Sequence, residues 1–135
     1  MLEVLPIQTK LEQEAASARC GVPFDADCMA YHALVDGDLT GICQFRMDEV
    51  GGHLCALAVV KDSALSDRDR AESLFVLGRA TLNFIDLCGV HIAYFEDKSF
   101  TEEGMIKSIG FSQDESGRWM MDLDGFFTEP CKCGK

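Results

Sequence analysis

The chain has 135 residues, 47% of them apolar and 26% charged, and its 23 Asp and Glu against 12 Lys and Arg give a formal charge of −11. That length fits one core rather than two, and the apolar share excludes wholesale disorder. The carboxylate excess repels phosphate backbones and anionic lipid, so neither nucleic acid nor membrane is expected as a partner, and an anionic ligand needs a local cationic site.

The longest uncharged apolar stretch, Leu54 to Val60, is far below the roughly 20 residues that cross a bilayer. The opening MLEVLPIQTK has no basic region followed by an apolar one, so a secretory leader is not expected there. The 7 cysteines, an odd number set mostly in apolar runs, read as reduced thiols in a cytoplasmic setting, with only Cys131 and Cys133 exposed.

In chain order, Leu2 to Ile7 alternates as a short strand closed by Pro6. Thr9 to Cys20 follows as a helix, with Thr9 as its N-cap and Glu12 completing a capping box, and Gly21-Val22-Pro23 stops it. Ala30 to Val35 and Leu39 to Met47 flank an Asp36-Gly37-Asp38 turn and predict a hairpin; after Gly51-Gly52 a third strand runs from His53 to Val60. From about Asp67 to Cys88 apolar residues recur at Leu74, Leu77, Phe84 and Cys88, with Thr81 on the same stripe, which predicts a long helix ended by Gly89. His91 to Phe95 predicts a strand and Thr101 to Ile109 a helix capped by Thr101 and closed by Gly110. Arg118 to Phe127 predicts a last strand after a Ser116-Gly117 turn. No linker or repeat interrupts this order. Residues 1–129 are expected to form one domain and 130–135 a flexible tail, whose two cysteines are too few for a closed zinc site, so no metal is expected.

The order β-α-β-β-β-α-β-α-β resembles the GNAT-type N-acetyltransferase superfamily over nearly the whole chain. Leu57-Ala58-Val59 is similar to the end of that family's fourth strand. Arg68-Asp69-Arg70-Ala71-Glu72-Ser73 falls where its Arg/Gln-x-x-Gly-x-Gly/Ala phosphate loop belongs, and Ile109-Gly110-Phe111 and Trp119 to Leu123 match its closing turn and terminal strand. The resemblance implies an α/β (α+β) fold: a mixed, mainly antiparallel sheet of about six strands with helices on both faces. It implies acetyl-CoA as co-substrate and transfer to a small amine or peptide acceptor. The negative field would favour a cationic one. It further implies that Leu57, Ala58, Val59 and Val60 border the acyl-pantetheine arm between two splayed strands, and that Arg68, Arg70, Ala71 and Ser73 meet its phosphates. Asp67, Asp69 and Glu72 oppose a phosphate in that loop.

For the chemistry, His53 stands where the family often has its glutamate base, and a histidine titrates near neutrality. Glu49 is a second candidate. At the family's tyrosine the chain has Ile106, which cannot donate a proton, and Ser99 stands for the family's asparagine, which the resemblance makes a further cofactor-binding residue. Tyr94 is the nearest substitute phenol. Cys55 shares a strand face with His53, so a thiolate–imidazole dyad is open beside an inert buried thiol. Two functions therefore remain: an acyl-CoA-dependent N-acyltransferase, or a catalytically weak or inactive GNAT-like module that binds CoA or a protein partner. A homodimer, and a dimer-forming scaffold without cofactor, stay open as well.

Overall fold

The computed structural model describes residues 1–62 and 64–127. The expected tail at 130–135, with Cys131 and Cys133, lies outside the described residues. Alternation in Leu2–Pro6 gives β1, which pairs antiparallel with β2 (Met29–Val35). Between them, Thr9 takes an extended backbone and its hydroxyl accepts the N–H of Glu12, opening α1 (Lys10–Cys20); Gly21 closes the helix with φ 71°. Asp36 and Gly37 both take positive φ, the geometry of a tight two-residue hairpin turn, and join β2 to β3 (Asp38–Met47). β4 (Gly52–Val59) pairs antiparallel with β3.

Ser66 caps α2 (Asp67–Leu87), which crosses back so that β5 (Ile92–Phe95) lies parallel to β4. α3 (Glu103–Ile109), β6 (Ser112–Gln113) and β7 (Trp119–Asp122) complete a seven-stranded sheet ordered β1-β2-β3-β4-β5-β7-β6. α1 covers one face; α2 and α3 cover the other.

The α2 face holds the larger core, including the fully buried Leu54, Leu74, Leu77, Leu82 and Ile85. Two glycines let the layers approach: a Cβ on Gly52 would lie 2.7 Å from Ile85, and one on Gly78 2.7 Å from Ile109. The α1 face has a smaller apolar cluster of Ala16, Cys20, Ala30, Ile42 and Val60, beside a buried polar hub at Gln44. Gln44 Oε1 accepts from Gln13 (2.8 Å), Ser17 (3.3 Å) and the Asp25 N–H (3.1 Å), while its amide donates to Pro23 O (2.8 Å). Every polar atom of that amide but one N–H is thereby paired, and α1 and the 21–28 loop are tied to β3. No helix among the described residues is long and apolar enough to cross a membrane.

Four sequence expectations need correction. α3 begins two residues after Thr101; Glu102 occupies the cap position without a side-chain cap bond, because its carboxylate is held by Arg70. The last strand is four residues, not ten, since the Asp122 carboxylate accepts the N–H of Asp124 and turns the chain. The sheet gains the short β6. Cys88, expected on the buried stripe, is exposed where α2 ends, whereas Cys20, Cys28 and Cys43 are buried. Burial pushes the Cys20 and Cys43 thiols up to about 12, which keeps them protonated and inert.

Candidate active site at the splay of two strands

The site starts with a defect in β4. Its ladder with β3 runs Phe45 to Leu54 and then Gln44 to Ala56, so Cys55 is an extra residue, a β-bulge. On the other edge, β4 and β5 pair only at Gly52–Ala93, His53–Tyr94 and Leu54–Phe95, and the last rung is the N–H of Glu96 on Leu54 O at 2.9 Å. Beyond it the two strands part. Between them lies a cavity of about 240 Å³, bordered by Leu57, Ala58 and Val59, by Lys61 just past β4, by Arg70 and Leu74 in the first two turns of α2, and by residues of the segment from Asp97 to Glu102. It offers a backbone donor, the Leu57 N–H, and two cations. Each of the best-placed positive groups already meets a carboxylate: Asp97 Oδ2 accepts the Leu57 N–H at 3.0 Å, and Glu102 pairs with both terminal nitrogens of Arg70. The hydrogen bond from Arg70 holds the Glu102 carboxyl below its ordinary range.

Of the predicted cofactor residues, Leu57, Ala58, Val59, Arg70 and Ser99 line this cavity. The others do not. Val60 turns into the small core on the α1 face and donates its N–H to Thr40 O. Ser73 is fully buried with its hydroxyl 3.0 Å from that of Thr40, because it lies one turn before Leu77 on the core stripe of α2. Arg68 and Ala71 are exposed and outside the lining. The first turn of α2 is also capped by Ser66 and carries Asp67 and Asp69, so its N–H groups are not a bare phosphate cradle.

On the opposite face of the sheet, His53 is 5% exposed. Nδ1 is 2.7 Å from Glu96 Oε2 and Nε2 is 2.9 Å from Asp48 Oδ1. Satisfying both acceptors requires a proton on each ring nitrogen, hence the imidazolium. Burial opposes that charge, but the two carboxylates outweigh it and raise the His53 pKa above its ordinary value. Asp48 is held well below the carboxylate range, first by His53 and then by the N–H groups of Val50 and Gly51 and by Arg46.

The Tyr94 ring stacks on His53, with centroids 5.7 Å apart, and the Arg118 guanidinium sits 4.2 Å from the centre of the same ring. Tyr94 does not border the wedge cavity or the larger one at the ends of β5 and β7. Glu49 is exposed in the β3–β4 turn, and its neighbour Asp48 is the residue that reaches His53. Cys55 contacts the carbonyl of His53 at 3.6 Å rather than its ring, so no thiolate–imidazole dyad forms.

A larger cavity of about 620 Å³ opens at the ends of β5 and β7, lined by Glu96, Asp97, Lys98, Phe100, Glu103 and Trp119 among others. It meets the wedge at Asp97, Phe100 and Thr101. Asp48, Glu96, Asp97, Lys61 and Glu102 are therefore site residues that sequence reasoning did not single out. Glu96 and Asp97 had one signal, since they directly follow a strand in a crossover unit, where ligands collect at the carboxyl ends of strands.

No protein-family model and no curated protein sequence matches the chain. Solved structures do. The ribosomal-protein-S18-alanine N-acetyltransferase of Escherichia coli aligns with TM-score 0.65 at 12% identity over 91% of this chain and 94% of that one. A Bacillus subtilis acetyltransferase in complex with CoA gives 0.64 at 12% over 91% and 99%, and a Desulfovibrio desulfuricans protein assigned to the GNAT family gives 0.62 at 13% over 91% and 99%. The expected mixed, mainly antiparallel sheet with helices on both faces is borne out, and the chain has the fold of the GNAT acetyltransferases.

Proposed function

We propose that the protein is an acyl-CoA-dependent N-acyltransferase that moves an acetyl group to an amine. The observation that carries this reading is the parting of β4 and β5 after three residue pairs, which leaves an open β4 edge bordering a cavity that Lys61 and Arg70 also line. An extended amide-bearing arm can bond to such an edge as an added strand, and Arg70 and Lys61 suit its phosphates. The B. subtilis neighbour, crystallised with CoA, has the same fold.

Acyl-CoA supplies the activated thioester. The chain's own residues bind and handle protons. Leu57 N–H is the donor for an arm carbonyl once Asp97 yields it. Glu96, at the rim of the larger cavity, is the carboxylate placed to take the proton from an incoming ammonium. His53 and Asp48 hold Glu96 in position; His53, charged and engaged at both nitrogens, is a positioning residue rather than the base. The amine nitrogen then forms a C–N bond as the C–S bond breaks, and the second proton that the nitrogen loses passes through water to the departing thiolate. Glu96, Asp97 and Glu103 on the larger cavity favour a cationic acceptor.

The second reading, a module that binds CoA without turnover, draws on Ile106, which is buried where the resemblance implies a tyrosine, and on the wedge lining, which contains no phenol. Thermal melting with acetyl-CoA, followed by thiol release over an amine panel, separates the readings. A raised Tm with release supports the enzyme, a raised Tm without release supports the module, and an unchanged Tm removes both.

A further inference from the structure

The two groups best suited to hold the cofactor are both engaged by one short segment of the chain. Asp97 Oδ2 sits on the Leu57 N–H at 3.0 Å, and its other oxygen accepts the N–H (3.0 Å) and hydroxyl (2.6 Å) of Ser99. Five residues on, Glu102 takes Arg70 in a two-pronged pair, 2.9 Å for the Nη1–Oε1 contact. A carboxylate oxygen is an acceptor only, like an amide carbonyl on a strand edge or a phosphate oxygen on an arginine. Asp97 thus occupies the place of the first and Glu102 of the second. Glu102 does so while standing at the cap of α3 without capping it.

We propose that Asp97 and Glu102 are built-in competitors for the acyl-CoA site: the 97–102 segment seats two carboxylates where the cofactor's carbonyl and phosphate bind, and both must withdraw for the cofactor to enter. This rests on the acyl-CoA reading above and adds the residues that set affinity there. The Arg70–Glu102 pair is partly exposed and therefore a weak competitor; the bond to the backbone N–H at the open strand edge is the stronger one.

Calorimetric titration of the full chain with CoA, with pantetheine and with ADP tests this. Asp97→Ala is expected to tighten CoA and pantetheine roughly tenfold and leave ADP unchanged. Glu102→Gln is expected to tighten CoA and ADP about threefold and leave pantetheine unchanged. Should Asp97→Ala melt too low to titrate, Ser99→Ala, which frees one oxygen of Asp97 from a hydroxyl, is expected to tighten pantetheine by a smaller factor. Variants that bind CoA no more tightly than the unaltered chain would overturn the competitor inference and leave the acyl-CoA reading standing. Equal tightening of both fragments by both variants would also overturn it, since that marks general loosening. CoA binding to none of the chains would sink the reading and the inference together.

Discussion

One strand carries two different neighbourhoods. From Gly52 to Leu54, β4 is bonded on both edges, packed against Ile85 on one face and joined through His53 to Asp48 and Glu96 on the other. From Cys55 to Val59 the same strand keeps β3 but loses β5, and its free edge meets side chains of the 97–102 segment instead. The first half is fixed by burial and by ladder partners on both edges. The second is held by β3 on one edge, while its other edge is closed by one hydrogen bond and a surface ion pair, both replaceable by a ligand. Function is expected where the ladder stops.

The largest effects should therefore fall on the closed half. Leu54→Ala removes a fully buried side chain and is expected to cost about 2–5 kcal/mol in chemical denaturation, whereas Ala58→Ser in the open half should cost less than about 0.5 kcal/mol. Next comes Gln44→Leu, which takes their partner from the Ser17 hydroxyl, the Asp25 N–H and the Pro23 carbonyl and one of two acceptors from the Gln13 amide. It is expected to cost about 2–3 kcal/mol and to loosen α1 without closing the wedge.

Much of the scaffold around β4 was legible in the sequence, because its causes are local. The Thr9 cap, the positive-φ turn at Asp36-Gly37 and the apolar stripe of α2 each depend on residues within a few positions. The site depends instead on contacts over long separations, His53 with Glu96 43 residues away beside the closed half and Arg70 with Glu102 32 away beside the open one, which no spacing rule reaches. The bulge at Cys55 has no residue signature either, since Leu-Cys-Ala reads as ordinary strand. Ser73 is the instructive case: read as a loop residue in a phosphate pattern it suits a cofactor, yet its helical spacing from Leu77 already placed it in the core.

Smaller, and pH-dependent, is the contribution of His53. Its pKa is raised on folding, so the stabilisation is fully present below the ordinary histidine value of about 6.5 and is lost as pH rises through the raised folded value. His53→Gln should lower stability by about 1–2 kcal/mol at low pH, and the gap between the two chains should narrow as pH increases past that value. A gap that widens with pH would mean His53 is neutral when folded. The smallest stability effect is expected for Arg70→Ala, under about 1 kcal/mol because its ion pair is partly exposed, although CoA binding should weaken roughly tenfold.

The central claim is that ligand enters where β4 and β5 part. Backbone amide mapping of the labelled chain by nuclear magnetic resonance, titrated with acetyl-CoA, reads that directly. The account predicts the largest shifts at Leu57 and its neighbours up to Val59, across the 97–102 segment and at Arg70, with Gly52 to Leu54 nearly unmoved. Shifts confined to β1, β2 or the start of α1, with Leu57 unchanged at saturation, would contradict it.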